Sequence, residues 1–98
     1  MEFIHKNLRI LQKQIIMLER IIDIYENTEL TKLDGFNKAI IGVSEDFNQP
    51  IRLIYSVSKC LNILMVDMDE DEALEYFYFN VSNAYIDKKT PVLCWDNF

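Results

Sequence analysis

Few side chains in this 98-residue chain have the chemistry to serve as a nucleophile, base or ligand: one histidine, two cysteines and sixteen carboxylates. His5 has Leu8 and Arg9 at i+3 and i+4, so no carboxylate orients its imidazole and no second ligand stands beside it. Cys60 and Cys94 form no Cys-x-x-Cys pair and have no histidine near them in sequence, which removes thiol catalysis and a zinc site. Gly35 and Gly42 stand alone, so no glycine-rich loop cradles a phosphate. The expectation is no catalytic residue, no metal, no cofactor and no enzymatic activity.

The acids are better placed to do something. Asp67, Asp69 and Asp71 alternate like the opening of a calcium loop, but the sixth position holds Glu72 instead of Gly and the twelfth holds Tyr78 instead of Glu. The run Asp69-Glu70-Asp71-Glu72 reads instead as a solvated helix start, with Asp69 as N-cap and the acids at the positive end of the dipole. Immediately after it come four consecutive aromatics, Tyr76-Phe77-Tyr78-Phe79. On a helix these point in every direction and cannot all enter one core. Exposed aromatics beside acids are the composition of a protein-binding surface. The expected partner-binding residues are therefore Asp69, Glu70, Asp71, Glu72, Tyr76, Tyr78 and Phe79, with core or dimer packing as the competing use of the aromatics.

Charge placement agrees. The formal net charge is −6, and acids balance bases from Met1 to Val66. The excess arises where Asp67, Asp69, Glu70, Asp71, Glu72, Glu75, Asp87 and Asp96 face only Lys88 and Lys89. A direct nucleic-acid ligand is not expected, because phosphate binding needs a basic surface. No uninterrupted apolar run of about 18 residues predicts a membrane span. The apolar-flanked cysteines and an N-terminus lacking the basic-then-apolar layout of a secretory signal point to the cytoplasm.

The elements that must carry these residues follow from hydrophobic periodicity. Ile4, Leu8, Leu11, Ile15, Leu18, Ile22 and Tyr25 recur in steps of four and three, the a/d pattern of a coiled coil, and predict an N-terminal helix over 1–27. A second row, Phe3, Ile10, Met17 and Ile24, recurs every seven residues at c, with Ile21 between the rows and Lys6, Lys13 and Arg20 on the far side. Such a wide arc either covers the rest of the domain or divides between the domain and a second copy. The a/d residues are the expected self-association surface of a homodimer or higher homo-oligomer.

Residues 28–98 then read as a small α+β domain. Ala39–Val43 and Ile51–Tyr55 predict a β-hairpin, with Pro50 at the start of its second strand. Ser56 caps a helix running to about Met68, Asp69 caps another running to about Tyr85, and Val92–Trp95 predicts a last short strand. Leu74, Phe77, Val81 and Ala84 are the expected inner face of the third helix. The sum is a small antiparallel sheet covered by helices.

Residues 34 to 92 also resemble a family. Asp34-Gly35-Phe36, Ala39-Ile40-Ile41-Gly42, Tyr55-Ser56, Lys59-Cys60, Ile63-Leu64, Glu72-Ala73-Leu74-Glu75-Tyr76-Phe77, Phe79-Asn80-Val81, Ala84-Tyr85 and Thr90-Pro91 look like a group of small uncharacterised proteins of bacteriophages and related mobile elements. That family tends to carry Gly where this chain has Asp87, and the first helix lies outside the likeness. The resemblance implies a viral accessory protein in the host cytoplasm that binds a host or viral protein, including as an inhibitor of antiviral defence, and it implies no catalytic residue. An oligomeric sponge for a nucleotide signal, using aromatics with Arg52, Lys88 or Lys89, and a purely structural self-associating viral protein are the alternative readings.

Overall fold

A computed structural model describes residues 18–26, 28–83 and 88–98; residues 1–17, Asn27 and 84–87 lie outside the described residues. The expected first helix is therefore seen only as a helical segment over 18–24, here α1. His5, Ile4, Leu8, Leu11 and Ile15 lie outside the described residues, as do Ala84, Tyr85 and Asp87. Ile21 on α1 is buried, and Leu18 and Tyr25 pack against the same core. These three sit at i, i+3 and i+7, one stripe of a helix. The Tyr25 hydroxyl donates to Glu45 Oε2 at 3.3 Å, linking the end of α1 to the loop after the first strand.

The connection that follows is a turn at Asp34-Gly35, where the Phe36 N–H returns to the Leu33 carbonyl at 3.2 Å and Gly35 adopts φ +86°. Glycine enters that left-handed region without the Cβ clash that penalises other residues. The turn is tied to the sheet by the Leu33 N–H donating to the Tyr55 hydroxyl at 2.9 Å. After a short 3-10 turn, Asn37–Ala39, come β1 (Ile40–Ser44) and β2 (Arg52–Ser56), paired antiparallel as the hairpin spacing predicts. The register shifts between Ile40 and Gly42, so Ile41 is the extra residue of a bulge.

The last strand corrects the expectation of an antiparallel sheet. β3 (Val92–Cys94) lies beside β2 and runs parallel to it, pairing Ile54 with Val92 and Ser56 with Cys94, in the order β1-β2-β3. The reason is topological: two helices intervene between β2 and β3, and a helical crossover returns the chain to the starting end of the sheet.

The helices are shorter than the periodicity predicts. α2 (Val57–Leu64) ends four residues before Met68, and α3 (Glu70–Phe77) gives way to a wider π-helical turn, Tyr78–Ser82. Both caps are as expected: the Ser56 hydroxyl accepts from the Lys59 N–H at 3.2 Å, and the Asp69 carboxylate accepts from the Glu72 N–H at 2.8 Å. The core unites Ile40, Leu53, Tyr55, Val57, Cys60, Ala73 and Phe77, which the solvent scarcely reaches. Ala73, with no side chain beyond Cβ, is the buried residue next to Phe77, and Leu74 is only partly buried against the core. No helix of the described residues is long and apolar enough to cross a membrane.

Candidate functional site

The seven residues expected to bind a partner all lie on or beside α3, but they do not share one face. Asp69 is engaged as the N-cap. Asp71 is exposed in the first turn. Glu70 lines a cleft of about 370 Å³ with Ser58, Leu61, Met65, Asp96 and Phe98. Tyr78 lies against Trp95, with ring centroids 5.6 Å apart and planes tilted by 30°, while Phe77 meets the same indole edge-on at 5.6 Å and 86°. Trp95 thus fixes the π turn to the chain that follows β3, an aromatic arrangement worth about 0.5–1.5 kcal/mol per pair beyond burial.

Glu72, Tyr76 and Phe79 do come together. Spaced i, i+4 and i+7, they line a groove of about 290 Å³ with Met68, Glu75 and Asn80. The Asn80 side-chain amide donates to the Tyr76 carbonyl at 3.1 Å, which holds the groove's far end. Phe79 is 73% exposed, so a large apolar ring stands in water beside two carboxylates. The hydrogen bond and negative charge of Asp69, then partial desolvation, raise the Glu72 carboxyl above its ordinary value, with Glu75 adding repulsion. Clustered carboxylates that repel one another gain most from an incoming cation.

Three residues of this groove escaped the sequence reading. Met68 reads as the last apolar position of the second helix, but α2 has already ended and Met68 turns to the groove. Glu75 sits one turn after Glu72, and that spacing was the available signal. Asn80 depends on the π turn, for which the sequence carries no period. Of the residues proposed for a nucleotide sponge, Lys89 is 3.2 Å from Glu29 in an ion pair, Lys88 is exposed, and the Arg52 Nε is buried without a hydrogen-bond partner among the described residues. Among the described residues, no group of three His, Cys, Asp or Glu side chains is arranged to hold a metal ion. Of the expected self-association residues, Leu18 and Tyr25 pack on the core and Ile22 is exposed.

A second polar cluster was invisible in the sequence. Asp96 Oδ2 accepts from the fully buried Ser56 hydroxyl at 2.6 Å, and Oδ1 accepts from the Ser58 N–H at 2.9 Å. The Ser56 hydroxyl and Ser58 N–H hold the Asp96 carboxyl below its ordinary value. Burial, with Asp96 adding negative charge, pushes the Cys60 thiol up to about 12. A thiol so protonated is no nucleophile; this cluster is a structural clamp between the C-terminal segment and the start of α2.

Against known proteins the chain matches no family model, no curated protein and no solved structure.

Proposed function

We propose that this chain is a non-enzymatic accessory protein that acts by binding another protein, and that the α3 groove receives a basic, partly apolar segment of that partner. The observation that carries this reading is the groove itself, where Glu72 and Glu75 stand beside Tyr76, Phe79 and Met68. An apolar anchor with a lysine or arginine next to it satisfies both halves: the rings exclude water and the carboxylates take the charge. The acid concentrated in the last third of the chain attracts such a partner from a distance and raises the on-rate. The resemblance of residues 34 to 92 to phage proteins supports a host or viral protein as that partner, including a component of antiviral defence.

The test is affinity purification from the natural host with wild-type chain, Glu72→Lys/Glu75→Lys and Phe79→Ser. The expected result is a protein retained by the wild type, released by moderate salt, and lost in both variants. Retention of the same protein by both variants overturns the groove. A thermal-shift titration with cyclic nucleotides separates the sponge reading, because a bound nucleotide raises the melting temperature and a protein-docking groove does not respond.

A further inference from the structure

We infer that a second copy of this chain docks on the α3 groove, so that the acidic groove of each copy meets a basic hollow beside α2 of the other. The hollow, about 240 Å³, is lined by Lys38, Lys59, Asn62, Ile63 and Val66. The last four sit at i, i+3, i+4 and i+7, one stripe of α2 and the turn that trails it. Lys38 reaches the same place from the 3-10 turn before β1. Among the described residues neither ammonium has an ion-pair partner.

The hollow is the chemical complement of the groove. In one, two ammonium groups border Ile63 and Val66; in the other, the carboxylates of Glu72 and Glu75 border Tyr76 and Phe79. Each also presents an apolar side chain to water, since Val66 is 81% exposed and Phe79 73%. Set against each other, Phe79 packs on Ile63 and the lysine stems while the ammoniums reach the two carboxylates. The two features also adjoin: Val66 lines the hollow and Met68 lines the groove, with only Asp67 between them. A two-fold axis at that junction lays each half on its opposite and makes both contacts at once. Two copies of net charge −6 repel at a distance, and the two features supply roughly half of the 20–30 residues a side of a standard interface. The pairing is accordingly weak, with a dissociation constant of about 10–100 µM. This surface is separate from the a/d residues of the first segment. It rests on the groove proposed above and gives that groove an occupant when no other protein is bound.

The experiment is sedimentation equilibrium of the purified full chain from micromolar to about 0.5 mM, at about 0.15 M salt so that the net charge is screened beyond contact range. Wild type is compared with Lys38→Glu/Lys59→Glu, Glu72→Lys/Glu75→Lys, an equal mixture of those two, and Phe79→Ser. The wild type is expected to approach twice 11.7 kDa, and each double reversal and Phe79→Ser to weaken association at least about tenfold. The mixture is expected to return to the double mass, because reversed lysines then meet reversed glutamates and the other contact is the native one. All five side chains lie outside the core, so far-ultraviolet spectra match the wild type. A wild type that stays single throughout overturns the inference. So does a dimer indifferent to the reversals and to Phe79→Ser, a mixture that stays single, or a mass that grows past two chains. A monomeric wild type that still captures a host protein through Glu72 and Glu75 overturns the self-docking and leaves the groove reading intact. A rescued mixture with no host protein captured supports the self-docking while that reading fails.

Discussion

Replacing Asp96 with Ala tests whether the C-terminal segment is held by the start of α2. Two hydrogen bonds are lost, from the Ser56 hydroxyl at 2.6 Å and the Ser58 N–H at 2.9 Å. Bonds to an ionised group contribute about 1.5–3 kcal/mol where buried, but Asp96 is itself exposed and water competes for its oxygens. The discounted loss is about 1–2 kcal/mol. Part of it is the cost left on Ser56, which is fully buried and retains only Ser58 Oγ at 3.3 Å as an alternative acceptor. In a chain of this length, that loss lowers the melting temperature by about 5–10 °C. The sign with pH follows from the direction of the shift. Asp96 is held below its ordinary value of 3.8 in the folded state, so its stabilisation is complete well above that value and disappears as pH falls through the lower folded value. Urea unfolding at pH 7 and pH 2.5, followed by circular dichroism and by Trp95 fluorescence, measures both. The wild type exceeds Asp96→Ala at pH 7 and the gap closes in acid. A double-mutant cycle with Ser56→Ala returns a coupling of about 0.5–1.5 kcal/mol. A gap under about 0.3 kcal/mol at pH 7, or one unchanged in acid, refutes the clamp.

Other outcomes follow from the same structure. Tyr55→Phe strips the Leu33 N–H of its acceptor at 2.9 Å and costs about 1–2 kcal/mol; hydrogen exchange checks it, with loss of protection at Leu33 and little change in the Ile40 pairing. A thiol reagent at pH 8 modifies half-buried Cys94 and leaves Cys60 untouched until the chain unfolds, because Cys60 is buried and its thiol titrates near 12. Rapid modification of Cys60 in the folded protein shows that the space around it opens far more readily than its packing allows.

What was legible in the sequence was local. Ser56 and Asp69 announce themselves as caps because a capping oxygen needs only a donor three residues on, and both act as caps here. The β1–β2 hairpin is readable for the same reason, as two β-branched runs with a short connection. The length of α3 was not readable: an apolar repeat continues unbroken through Phe77 and Val81, yet the backbone widens into a π turn at Tyr78, re-aiming Tyr78 toward Trp95 and leaving Phe79 in water. Among the seven expected partner-binding residues, that local geometry decides which ones share a groove.

The sequence alone determined the β1–β2 hairpin, the starts of α2 and α3 with both caps, the last short strand, the acidity of the last third, and the apolar rows of the first segment, because each depends on neighbours within one or two turns. Only the tertiary structure decided that β3 runs parallel to β2, that Asp96 closes on Ser56 across forty residues, and that Ile21 takes the inner place while Ile22 and Ile24 stay out. These depend on how the crossover returns and on which stripe the core has room to bury, and contacts between residues distant in sequence leave no periodic trace in it.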